Sequence, residues 1–268
     1  MNSKLPPLPL VKPSIPVREE TGTVPLPKRK PTVPVGGSEV AAGAPRGMEQ
    51  FVDTARSVAR IANVPFADVL AKAQQESNFN PQARSRTSSA AGAYQFIEQT
   101  WLNMVKRHGS AYGLGSLAAQ IHTRNGANTV SDPAVRKQIL DLRLDPHLSA
   151  GMAARYLDES GKDLKRSIHR EPTENERRMS YVLGPGGAAK LIRAASGNPA
   201  GSAAALLPAA AQANRPLFYD TGGRALSNQE AMAKISKVVS RGIDTFSRMP
   251  EDNSPLITDQ MNGESSIG

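Results

Sequence analysis

Residues 73–81 read Ala73-Gln74-Gln75-Glu76-Ser77-Asn78-Phe79-Asn80-Pro81, and a second short segment follows as Gly92-Ala93-Tyr94-Gln95-Phe96. Upstream of Glu76, the apolar residues Phe66, Val69, Leu70 and Ala73 recur at spacings of three and four, and Pro65 suits a first helical turn. The pattern is that of an amphipathic helix. Position 76 continues the inward-facing series, so a carboxylate is expected where most helices place Leu or Ala. Two readings follow. The glutamate is an exposed helix-end residue, or it is a partly desolvated carboxyl, an environment that favours the protonated state a general acid requires.

Beyond Ser77 the helix is expected to stop at Phe79 and Pro81, and a polar, small-residue loop runs from Arg84 to Ala91 before the Gly92–Phe96 segment. Together these residues resemble the soluble lytic transglycosylases, a branch of the lysozyme-like superfamily with a Glu-Ser motif followed by a Gly-x-x-Gln-hydrophobic motif. The resemblance implies that Glu76 is the sole catalytic acid and base. In that family the glutamate protonates the glycosidic oxygen between N-acetylmuramic acid and N-acetylglucosamine, then helps the muramyl C6 hydroxyl attack C1, leaving a 1,6-anhydro end. An intramolecular hydroxyl removes much of the need for the second carboxylate that water-using glycosidases generally have. The resemblance further implies substrate-binding roles for Ser77, Tyr94, Gln95 and Phe96. Tyr94 stands where the family has a small or apolar residue, and it either lines the saccharide groove or packs.

The resemblance continues downstream. Ser180-Tyr181-Val182-Leu183-Gly184-Pro185-Gly186-Gly187-Ala188-Ala189-Lys190 sits where the family carries Ala-Tyr-Asn-Ala-Gly or, in one subgroup, a His-Phe-Leu-Gly variant. Tyr181 falls at the Tyr or His position, and its hydroxyl is expected to hold Glu76 or a substrate hydroxyl. Val182 replaces the family's Asn. The glycines do not fit a phosphate loop, because the upstream segment is helical and Lys190 is followed by Leu191, so they are read as close helix packing. Residues 198–220 also resemble the segment that follows the core in the same subgroup, which typically ends in a last helix, here about Asn228 to Phe246. The resemblance covers roughly residues 46–246.

Composition sets the frame. Ten of the 21 prolines lie in the first 45 residues, which show almost no periodic apolar pattern and read as an extended arm. Net charge is +3 over residues 1–45, +9 over 46–246 and −3 over 247–268. A basic middle suits either nucleic acid or an anionic cell wall, and no basic helix, aromatic-basic interleaving or zinc-finger spacing supports the former. No nucleic-acid partner is expected. The chain has no cysteine, and His108, His122, His147 and His169 are scattered without ligand spacing, so neither a metal nor any other cofactor is expected. No apolar run approaches a membrane span, and prolines interrupt the run that a secretory leader would need.

A helical pattern begins near Met48, with Phe51, Ala55, Val58, Ala59 and Ala62 on one face. Thr100 to His108 reads as another helix, whose Trp101 either joins the core or stacks on a sugar. A short helical piece is expected around Leu117–His122. Asp132-Pro133 and Asp145-Pro146 are helix starts, Leu164 and Ile168 mark a further helix, and Pro172-Thr173 introduces one from about Glu174 to Leu183.

The expected fold is all-α, a lysozyme-like helical domain over 46–246, with an arm over 1–45, an acidic tail over 247–268 and room for a small hairpin around Arg84–Gln95. The expected activity is cleavage of peptidoglycan glycan strands in the periplasm or cell wall. A goose-type hydrolase and a catalytically silent wall-binding module are the alternatives. With no leader legible, the arm is expected to dock the enzyme on a larger envelope-crossing assembly, such as a phage virion or a secretion machine; export by an unrecognised route is the alternative.

Overall fold

The computed structural model describes residues 46–247. The expected arm, and the tail from residue 248 on, lie outside the described residues. Eleven α-helices and one small hairpin follow in order: α1 Arg46–Ala62, α2 Phe66–Ser77, α3 Glu98–His108, α4 Gly115–Ala119, β1 His122–Arg124, β2 Ala127–Thr129, α5 Pro133–Asp141, α6 Pro146–Ile168, α7 Glu174–Gly197, α8 Ala203–Leu206, α9 Pro208–Ala213, α10 Arg215–Phe218 and α11 Asn228–Ser247. The all-helical expectation holds.

Helix starts follow the local chemistry read from the sequence. Asp132 and Asp145 accept backbone N–H bonds from the first turns of α5 and α6, each with a proline at the first helical position. Thr173 and Glu176 form a reciprocal capping box at α7. Glu176 is further held by a two-pronged contact from Arg170, at 2.8 and 2.7 Å, which keeps its carboxyl below the usual range.

Three expectations need correction. Leu164 and Ile168 do not begin a new helix: α6 runs unbroken to Ile168, since nothing between Tyr156 and Leu164 removes a backbone donor. The hairpin is not at Arg84–Gln95, where only the isolated bridges Arg84–Ala91 and Ala91–Phe96 occur. It is His122–Arg124 against Ala127–Thr129, turned by Asn125 and Gly126, both at positive φ. The glycines at 184–187 serve close packing only in part: a Cβ at Gly187 would come 3.2 Å from the Leu183 Cβ. Gly184 breaks α7 with φ 72°, and a side chain at Gly186 would meet open space.

Two hydrophobic cores result. The first joins α1, α2, α3 and α6 around Leu70, Trp101, Met104 and Met152, and takes in Tyr181 of α7 and Ile243 and Phe246 of α11. The second packs the later part of α7 and α8–α10 against α11, through Leu191, Phe218 and Ile235. Trp101 is fully buried and its indole N–H donates to the Ile139 carbonyl at 2.7 Å, so it is a core residue. None of the helices among the described residues is long and apolar enough to cross a membrane.

Candidate active site

Glu76 lies in the last turn of α2. The helix ends at Asn78, whose φ is 53° and whose N–H returns to the Gln74 carbonyl at 2.8 Å. Phe79 follows at φ 61°, a conformation costly for a bulky residue. Two rings hold it there, Phe51 at 5.5 Å and Phe246 edge-on at 6.0 Å. The chain therefore turns sharply away just after the Glu-Ser pair.

The 84–96 loop is brought against this helix end. The Ser77 hydroxyl donates to the Ala93 carbonyl at 2.8 Å and accepts the Asn80 N–H at 3.0 Å. Gln95, at φ 50° and 4% exposed, donates its amide to the Gly92 carbonyl at 2.9 Å and the Ala83 carbonyl at 3.2 Å. Gly92 is irreplaceable at φ 80°, because a Cβ there would come within 1.9 Å of the Arg143 carbonyl oxygen. The buried Arg143 guanidinium completes the loop by donating to the carbonyls of Ser89, Phe96 and Leu140.

These elements enclose a half-open pocket. Lys72 and Glu76 come from α2, Tyr94, Phe96 and Ile97 from the loop, Thr100 from α3, and Ala153, Tyr156 and Leu157 from α6. Glu76 is the single carboxylate among the lining residues. Its side chain is 7% exposed, and its Oε1 accepts from Lys72 Nζ at 3.0 Å. Phe96 packs on Trp101 and edge-on to Tyr156. Burial raises the Tyr156 phenol, and the Glu76 charge nearby adds to the effect, so Tyr156 stays a neutral donor. Burial alone does the same to Tyr94. The Tyr94 hydroxyl is buried with no hydrogen-bond partner among the described residues.

The structure thus gathers Glu76, Tyr94 and Phe96 on one pocket, with Ser77 and Gln95 behind it as loop fasteners rather than on its wall. Tyr181 does not join them. Its hydroxyl lies beside Asp68 in the first turn of α2, where Arg178 reaches the same carboxylate at 3.2 Å. Asp68 precedes Glu76 by eight residues, about 12 Å along a helix. The Arg178–Asp68 ion pair holds this part of α7 at the first turn of α2, away from Glu76. Burial raises the Asp68 carboxyl despite the guanidinium.

Lys72 and Tyr156 were not singled out from the sequence. Lys72 carried a usable signal, one helical turn before Glu76; Tyr156, eighty positions away, carried none. Another carboxylate near this end of α6, Glu159, is occupied by His108 at 2.7 Å and Arg107 at 2.6 Å. One acid in an aromatic-walled cleft is an arrangement for protonating a buried ether oxygen.

The family model for the transglycosylase SLT domain matches residues 53–200, from α1 through α7 and so across the whole pocket. The chain belongs to the soluble lytic transglycosylases of the lysozyme-like superfamily, enzymes that act on the peptidoglycan of the periplasm and cell wall.

Proposed function

We propose that Glu76 acts first as acid and then as base in a non-hydrolytic cleavage of the β-1,4 bond between N-acetylmuramic acid and N-acetylglucosamine. The observation that carries this reading is the pocket wall itself: one carboxylate, Glu76, beside Lys72 and Thr100 on a wall otherwise of apolar and aromatic side chains. In the first step the Glu76 proton passes to the glycosidic oxygen, the C1–O bond breaks with its electron pair going to that oxygen, and positive charge develops at C1. In the second the muramyl C6 hydroxyl attacks C1 while its proton returns to the Glu76 carboxylate. No water is consumed, and no second carboxylate is needed. Tyr94 and Phe96 contact the sugar, Tyr94 through its unpaired hydroxyl. Ser77 and Gln95 act through the loop they fasten.

The catalytic unit is taken as residues 46–246, with 1–45 and 247–268 as separate segments. The test is Glu76→Gln, which keeps the shape and removes the transferable proton. It is expected to abolish release of soluble fragments from purified peptidoglycan, by at least about a hundredfold, with an unchanged melting temperature. Release at the wild-type rate would remove Glu76 from the reaction.

A further inference from the structure

We propose that Lys72 is a positioning residue for Glu76: it fixes one carboxyl oxygen, leaves the other to exchange the proton, and stabilises the carboxylate while that proton resides on the departing sugar. This rests on the reading of Glu76 as the acid. Lys72 Nζ donates to Oε1 at 3.0 Å, one helical turn away. The Glu76 Oε2 has no hydrogen-bond donor among the described residues, and both side chains face the pocket. The two side chains are only 12% and 7% exposed, so solvent and salt screen the pair far less than a surface one.

Helix stability does not explain this pair. Lysine preceding glutamate by four is the weaker orientation in an isolated helix. No second cation lies within ion-pair distance of Glu76 among the described residues, and Lys72 has no other carboxylate partner there. The ammonium is thus committed to the reacting carboxyl.

The reaction gives that commitment a purpose. When the Glu76 proton moves to the glycosidic oxygen, negative charge appears on the carboxyl in a cleft with apolar walls. An ammonium already in place stabilises that charge without reorganisation. Attack by the C6 hydroxyl then returns a proton to Oε2, and the pair is reset with Oε1 still held. Lys72 neither gives up a proton nor touches the sugar in this cycle.

The experiment measures kcat and KM on soluble glycan strands, together with melting temperature, for full-length wild type, Lys72→Met, Lys72→Arg and Glu76→Gln. Lys72→Met is expected to lower kcat about 10- to 100-fold, the value of a hydrogen bond to a charged group, with KM within about threefold and an unchanged melting temperature. Lys72→Arg, which keeps the charge, is expected to recover most of kcat. A wild-type kcat in Lys72→Met, a loss confined to KM, or equal losses in both lysine variants with lowered melting temperature would each overturn the proposal. An inactive Glu76→Gln beside an unimpaired Lys72→Met sinks the role of Lys72 alone. A fully active Glu76→Gln removes the reading beneath it.

Discussion

Tyr94 shows how much a single side chain decides. Its ring is on the pocket wall and its hydroxyl is buried without a partner, an arrangement that costs the free enzyme about 1–3 kcal/mol. A substrate oxygen that accepts from it recovers that cost on binding. Tyr94→Phe is therefore expected to raise KM for glycan strands about 3- to 30-fold while stability stays level or rises. An unchanged KM with a fall in melting temperature would mean that the tyrosine only packs. At this scale the sequence was informative wherever chemistry is local. Periodicity left Glu76 as an exposed helix-end residue or a desolvated carboxyl, and its side chain is 7% exposed; Trp101 and Tyr94 each came with two stated readings that burial and hydrogen bonding resolved for the tryptophan. Tyr181 stands beside Asp68 and not Glu76, because the long-range Arg178–Asp68 pair sets its surroundings, which no spacing within either helix encodes.

Among the elements, α7 carries the clearest test of local signals. Its capping box and the Arg170 contact keep the Glu176 carboxyl below its ordinary range. A depressed carboxylate contributes stability that is present above the unfolded value near pH 4.3 and is lost as pH falls through the folded value. Wild type is thus expected to lose thermal stability on acidification from about pH 5 to about pH 3 more steeply than Glu176→Gln, which is less stable at neutral pH. Parallel melting curves for the two would contradict this. Helix starts were legible because proline, aspartate and threonine act within one turn. The Asn125-Gly126 hairpin had an equally local signal that was passed over, whereas the unbroken run of α6 rests on its burial against α1, α3 and α7. At the Gly184 kink the glycine supplies a positive φ.

For the whole molecule, the family match stops at residue 200, yet the chain beyond it returns to the catalytic end. Helix α11 belongs to both cores, and its Phe246 meets Phe79, the strained residue that turns the chain just after Glu76 and Ser77. Phe246→Ala is expected to cost about 3–5 kcal/mol and to lower activity below the melting transition, because Phe79 loses one of its two ring supports. Wild-type activity at unchanged stability would show that α11 is an appendage. The general architecture was legible, since all-helical periodicity and short breaks leave few alternatives. The doubled core was not, because apolar residues on α7 and α11 announce burial without naming the partner.

The most direct test of the central claim is the chemistry of the new chain ends, read by mass analysis of soluble fragments released from purified peptidoglycan by wild type and by Glu76→Gln. The single carboxylate of the pocket predicts 1,6-anhydro-muramyl ends from wild type and no release from the variant. Reducing ends from wild type would contradict it, for they would mean that water, and not the muramyl C6 hydroxyl, attacks C1.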